Sequence, residues 1–240
     1  MAKAQRKVGP IMVKVFIIHG WAYELDKWQD TVSLLKENGF NPVLLKVPGL
    51  TEQSSEVWTI DKYKTWLDQQ LKEETEPVTL LGHSNGGRIA INYSVENPKK
   101  VQRLILLDSA GVYHNNLSIR LKRLIFKSIS KLGRRFKEVP IFRKVIYKLA
   151  RESDYRDAPI NMRCTMANML ESDKQLDVSK VRVKTTIIWG EQDRITPLAD
   201  AKTLNNAIKN STLHIIEGAR HAPHFTHSKQ LVDIIKGELA

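Results

Sequence analysis

VTLLGHSNGGRIA, residues 78–90, runs from an apolar stretch into Gly82-His83-Ser84-Asn85-Gly86 and on into a helical pattern. Strand, sharp turn and helix, with a serine between two glycines, are the setting of the G-x-S-x-G elbow. The turn lifts the Ser84 hydroxyl above the strand end. Gly82 and Gly86 suit it because a Cβ at either position would clash with neighbouring strand and helix backbone. The helix that follows aims N–H groups without intrahelical partners at the serine. A lone G-x-S-x-G is a weak signal, so the rest of the chain has to decide the matter.

That chain has 240 residues and is 42% hydrophobic, enough for one good-sized domain with an insertion. It has no window of 18 or more apolar residues, which argues against a transmembrane span. The N-terminal MAKAQRKVGPIMVKVFIIHG is basic and then apolar, like a secretory signal. Its apolar run is short, Gly9-Pro10 and Lys14 interrupt it, and no small-residue cleavage site follows, so it reads as a loose lead into a core strand. A single cysteine, Cys164, excludes an intramolecular disulfide and reads as a small apolar filler. A cytoplasmic protein is expected.

Short apolar, β-branched runs alternate with helical patterns. The strand candidates are residues 13–19, 42–47, 78–82, 101–108, 185–190 and 212–217. They are nearly continuous apolar runs, as in a parallel sheet covered on both faces. Helix candidates are residues 28–38, 60–73, 85–97, 197–209 and 227–239. The first ends at Asn38-Gly39 and the third before Pro98, while Thr196-Pro197 reads as cap and first-turn proline of the fourth. This β-α alternation predicts an α/β fold with a doubly wound parallel sheet.

The alternation breaks between Val112 and Lys180, where the pattern is helical throughout. Leu121, Ile125, Ile129, Leu132 and Phe136 share one face, and Phe142, Val145, Ile146 and Leu149 make a second stripe. An all-helical insertion between sheet strands reads as a lid over the carboxyl edge. The expected division is a core of residues 1–112 and 181–240 with a lid of residues 113–180. From Ser118 to Arg151 twelve basic residues face one acid, Glu138, which accounts for eleven of the chain's twelve net positive charges. The basic segment reads as a solvated helix face, with weak contact to an anionic membrane surface, a carrier protein or an acidic substrate kept open. Without interleaved aromatics it does not predict nucleic-acid binding.

A serine hydroxyl is a poor nucleophile until a base takes its proton, and the base needs an acid to fix its tautomer. Asp193 and His221, each just past a strand, follow Ser84 in the order that this architecture requires. Asp108 also follows a strand and is the second candidate for the acid. Of the neighbouring histidines, His214 lies inside a strand pattern, and His224 and His227 fall toward the last helix. Their spacing lacks a third ligand in step, so no metal site is expected. A tetrahedral oxyanion needs two preorganised donors. The backbone N–H groups of Asn85, after the nucleophile, and of Trp21, in the loop beyond the first core strand, are the candidates. Gly20 allows that loop to approach closely.

His19-Gly20-Trp21, Gly82-His83-Ser84-Asn85-Gly86, Asp193 in WGEQD and His221 in EGARH together resemble the α/β-hydrolase superfamily. The likeness covers nearly the whole chain outside the lid. HGWAYELDKW is similar to the opening of pimeloyl-carrier-protein methyl ester esterases, and LILLDSAGV and DYRDA resemble small, lidded bacterial esterase-like members. The resemblance implies an α/β-hydrolase fold, with a mostly parallel sheet, helices on both faces and an inserted lid. It implies a serine hydrolase that cleaves a small carboxylic ester or thioester, anionic or carrier-bound, without a metal or organic cofactor. A carbon–carbon bond hydrolase or perhydrolase, and a non-catalytic ligand-binding or lipid-surface member, are the alternatives. Two departures stand out. The one or two strands that usually precede the His-Gly loop are missing, which trims the sheet to about six strands. Arg220 stands where glycine is common before the histidine. Dehalogenases and epoxide hydrolases of this fold carry aspartate at the elbow, so Ser84 argues against both.

Overall fold

The computed structural model describes residues 12–21, 25–51, 54–113 and 159–239. Six strands form one sheet, all parallel, in the order β2-β1-β3-β4-β5-β6. They are β1 (Lys14–Ile18), β2 (Asn41–Leu45), β3 (Val78–His83), β4 (Val101–Leu107), β5 (Lys184–Gly190) and β6 (Ser211–Ile216). Each matches a predicted run to within two residues at either end. The runs are apolar throughout because both faces of the sheet are covered, and successive side chains leave on opposite faces. Val15, Ile17, Leu81, Ile105, Leu107 and Ile188 pack to one side. Phe16, Ile18, Leu80, Leu104, Leu106 and Ile187 pack to the other.

The helices are α1 (Gln29–Glu37), α2 (Ile60–Gln70), α3 (Asn85–Glu96), α4 (Ile160–Ser172), α5 (Leu198–Ala207), α6 (Pro223–Thr226) and α7 (Ser228–Leu239). Leu35 of α1 and Leu231, Val232 and Ile235 of α7 seal the first face. Tyr63 and Leu67 of α2, Ile89 of α3 and Leu204 of α5 seal the second, where Met169 of α4 joins them. Full burial of each such side chain is worth about 1.5–3 kcal/mol relative to exposure. Helix α1 stops where expected, with Gly39 at φ +83° after it.

The start of α5 differs from the expectation. The helix begins at Leu198, Pro197 is its extended cap residue, and no side chain caps it. Thr196 points instead at Asp193: its N–H and its hydroxyl both donate to that carboxylate, at 3.1 and 2.7 Å. A threonine hydroxyl has one hydrogen, and the acid takes it. Of the expected lid, residues 159–180 are described, and they hold α4 and a turn of 3-10 helix at Val178–Lys180. The two apolar stripes and the basic stretch from Arg120 to Arg151 lie outside the described residues.

Parallel strands send all their carboxyl ends to one edge of the sheet, the edge where open α/β sheets bind their ligands. Trp21, Ser84, Asp108, Asp193 and His221 all follow carboxyl ends: those of β1, β3, β4, β5 and β6.

Candidate active site

Ser84 occupies the turn between β3 and α3 at φ +53°, ψ −119°. A non-glycine residue pays about 1–3 kcal/mol for such a backbone, so the surroundings must hold it there. They do so through the backbone. Ser84 N–H donates to the Leu107 carbonyl at 3.1 Å, and its own carbonyl accepts from Gly87 and Ala110 at 3.0 and 2.9 Å. Close approach on both sides leaves no room for a Cβ at two glycines. One at Gly86 would lie 1.9 Å from the Ile18 carbonyl oxygen, and one at Gly20 would lie 2.7 Å from Ser84 Cβ. The loop after β1 therefore stands directly against the serine.

Three side chains from three strand ends meet in a line. Ser84 Oγ is 3.0 Å from His221 Nε2, and His221 Nδ1 is 2.7 Å from Asp193 Oδ2. A carboxylate accepts, so Nδ1 carries the proton and Nε2 keeps its lone pair for the serine hydroxyl. Asp193 is buried, with 6% of its surface exposed, and ionised groups are buried only when partnered. Oδ1 accepts from the N–H groups of Ile195 and Thr196, at 2.7 and 3.1 Å, and Oδ2 accepts from Thr196 Oγ at 2.7 Å. A serine hydroxyl bonded to an oriented neutral imidazole can surrender its proton as it attacks.

Asp108 sits beside this line and not in it. It is fully buried at φ +42°, and its Oδ1 accepts from Gly190 N–H at 2.8 Å. Burial, with the Asp193 carboxylate facing it, pushes its pKa from 3.8 up to about 8. The proton stays on Asp108 because Asp193 holds the donors that favour a charge.

Two other histidines are structural. His83, inside the elbow, donates from Nε2 to the His221 carbonyl at 2.8 Å and so fixes the backbone of the residue that faces Ser84. His224 stacks on Trp28 with ring centroids 4.0 Å apart. Burial holds both rings well below the usual histidine range, and the neighbouring histidines add to the effect; the His224 value falls to about 3. His214 is half-buried, with Nε2 2.7 Å from Glu238 Oε1 on α7. His83, Asp108 and His221 offer ligand atoms within 4.8 Å of one another. An ion there would have to displace either Ser84 or Asp193 from His221, whose two ring nitrogens are both engaged.

The His-Gly loop has its own anchor. His19 Nδ1 lies 2.7 Å from the Gly20 carbonyl, while Nε2 faces Val47 N–H and Thr51 Oγ at 3.2 and 3.0 Å. Nδ1 therefore donates. In a trans peptide the carbonyl and the N–H point opposite ways. The imidazole that holds the Gly20 carbonyl thus also sets the direction of the Trp21 N–H. As the first residue of α3, Asn85 has an N–H without an intrahelical acceptor.

The positions of Ser84, Asp193 and His221 were expected from sequence. The sequence pattern marks Thr196 as a cap and carries no sign of the parts played by His19 and His83. The spacing of Asp193 and Thr196, three residues apart in a turn, was the available signal for Thr196. Arg220 is exposed, and Trp28 is core.

These features define an α/β-hydrolase. Superposition on a thermophilic esterase from Thermogutta terrifontis gives a TM-score of 0.72 at 21% identity, covering 95% of this chain and 89% of the other. The chain belongs to the serine aminopeptidase S33 family, whose pattern matches residues 9–227, and it is an enzyme of the serine-hydrolase kind. It is 26% identical to a pimeloyl-[acyl-carrier protein] methyl ester esterase of Wigglesworthia glossinidia brevipalpis, over 96% of this chain and 95% of that one. It is also 24% identical to the monoacylglycerol lipase ABHD6 of Bos taurus, over 92% of this chain and 74% of the relative. Among the described residues no helix is long and apolar enough to cross a membrane.

Proposed function

We propose that the enzyme cleaves a small carboxylic ester or thioester through an acyl-enzyme on Ser84. The observation that carries this reading is the unbroken hydrogen-bonded line from Ser84 through His221 to Asp193. Nε2 of His221 takes the hydroxyl proton as Oγ bonds to the acyl carbon. The same proton passes to the leaving alkoxide or thiolate as the carbon–oxygen or carbon–sulfur bond breaks. Water then repeats the sequence, which frees the acid and returns the proton to Ser84. Asp193 keeps the imidazole in the required tautomer and stabilises the imidazolium. The N–H groups of Trp21 and Asn85 hold the oxyanion, one aimed by His19 and the other by the start of α3.

The division of labour follows the chain. Residues 1–112 and 181–240 form the catalytic core, and residues 113–180 form a lid whose basic stretch suits an anionic or carrier-bound acyl group. The names of the methyl ester esterase and the monoacylglycerol lipase support an ester substrate. The lone Cys164 suits a cytoplasmic setting.

Labelling with a fluorophosphonate, read by intact mass, tests the reading. One adduct on the wild type and none on Ser84→Ala is expected. His221→Ala should slow labelling by orders of magnitude with the fold intact. Turnover of esters and thioesters of graded chain length then fixes the acyl group. An unlabelled, folded wild type, or equal labelling of Ser84→Ala, would rule the acyl-enzyme out.

A further inference from the structure

Arg88 lies on α3 three residues beyond Asn85, and it is 3% exposed. A guanidinium so placed needs its donors satisfied. Nε and Nη2 donate to the two carboxylate oxygens of Asp173, at 2.6 and 2.9 Å, and Asp173 is equally buried. Nη1 donates to the side-chain oxygen of Asn85. Asp173 is the residue that terminates α4. The other end of the Asn85 amide, Nδ2, rests 3.8 Å from Met166 Sδ, also on α4. Asn85 is thus gripped at both ends by α4, once directly and once through Arg88.

Helix α4 is itself stitched to the core. Asn161, Thr165 and Asn168, at spacings of four and three, lie along one helical face. Thr165 Oγ accepts from Trp58 N–H at 2.9 Å, Asn168 donates to the Trp58 carbonyl at 3.0 Å, and Asn161 donates to the Ser54 carbonyl. Well-packed apolar groups often replace a buried ion pair at no loss of stability. Stability alone therefore does not explain why a bidentate pair with a third bond to the residue after the nucleophile stands here.

We infer that Arg88 and Asp173 are positioning residues, which set the oxyanion donor Asn85 in register with α4. This rests on the acyl-enzyme reading above, in which the Asn85 N–H holds the oxyanion. The donor works only within about 2.7–3.1 Å of the developing charge, so a shift of a few tenths of an ångström matters. Because that charge exists only in the transition state, loosening the clamp lowers kcat and leaves KM in place. Movement of α4 is transmitted to the oxyanion site through the same pair.

The test is a kinetic cycle on the full chain, with kcat expressed per serine titrated by fluorophosphonate so that misfolded protein does not count. Asp173→Asn should lower kcat about tenfold or more, with KM for a given ester within about twofold. Asn85→Ala keeps the backbone N–H and removes the side chain that the clamp holds. It should lower kcat similarly, and adding Asp173→Asn to it should cost little more. Should Asp173→Asn fail to fold, Arg88→Lys carries the same test, since it keeps the cation and loses the fork. A kcat per titrated serine within twofold of wild type, with only the melting temperature lowered, would overturn the inference. So would full additivity with Asn85→Ala. Absence of any wild-type adduct removes the acyl-enzyme reading and this inference together, whereas a normal wild type beside normal variants removes the inference alone.

Discussion

Two buried aspartates stand behind His221, and their hydrogen bonds separate their roles. Asp193 accepts from two backbone N–H groups, the Thr196 hydroxyl and the imidazole, while Asp108 accepts from Gly190. Donors stabilise a charge, and burial without them stabilises the acid form. A valine in place of Thr196 keeps the shape and the N–H but removes one of the bonds to Asp193. Thr196→Val should therefore lower kcat about tenfold with KM little changed, in the same titration-normalised assay. An unchanged kcat would show that the two backbone N–H groups and His221 hold Asp193 unaided. At this scale the three residues that the structure brings into one line were legible because each follows a strand in a fixed order. Their supports were less so. Thr196 and Pro197 carry a stronger local signal for a helix start than for an acid's partner, and nothing around Asp173 in the sequence points to Arg88.

The turn between β3 and α3 places Ser84, and it is built by exclusion. At Gly86 an added methyl would meet the Ile18 carbonyl of β1 at 1.9 Å, and a strand paired on both sides has little room to give way. Gly237, near the end of α7, would meet nothing within 4 Å. Gly86→Ala should cost at least about 3 kcal/mol or prevent folding. Gly237→Ala should add about 0.5–1 kcal/mol through helix propensity and a less flexible unfolded chain. Urea unfolding of the two variants beside the wild type checks both, and a Gly86→Ala of wild-type stability would mean that β1 and α3 can separate. All six strands and the five long helices outside residues 113–180 were readable from pattern, since burial on both sheet faces makes strands apolar throughout and gives helices one apolar stripe. α4 shows the opposite case. Met162, Thr165 and Met169 are its buried residues, and Asn161, Thr165 and Asn168 bond to backbone, so polar side chains interrupt the apolar stripe and weaken it as a pattern.

For the whole molecule, the buried titratable groups set how stability varies with pH, and they pull in opposite directions. Asp108 takes up a proton on folding, because its pKa rises from 3.8 to about 8. Its contribution is full below pH 4 and fades as pH climbs through 8. His19, His83 and His224 are held neutral, each lowered from 6.5 chiefly by burial. Their contribution is full above pH 6.5 and fades as pH falls, because the unfolded chain then binds protons that the fold refuses. Up to about pH 6.8 the three histidines outweigh one aspartate, and above it Asp108 outweighs what is left of them. Stability should therefore peak near about pH 7 and decline gently toward pH 8, by less than the roughly 1.4 kcal/mol per unit of one whole proton. Asn at position 108 is shaped like the protonated acid and keeps an acceptor for Gly190 N–H. Asp108→Asn should leave kcat within about threefold of wild type and flatten the alkaline limb, with a gain of about 2 kcal/mol at pH 8 relative to pH 6.5. His224→Phe keeps the stack on Trp28 and removes one of the three refused protons, so it should make the acid limb shallower. Urea midpoints from pH 5 to 8 for the three proteins are the measurement. A stability difference between Asp108→Asn and wild type that does not change between pH 6.5 and 8 would mean that Asp108 is ionised in the fold, and that two charged carboxylates stand together behind His221.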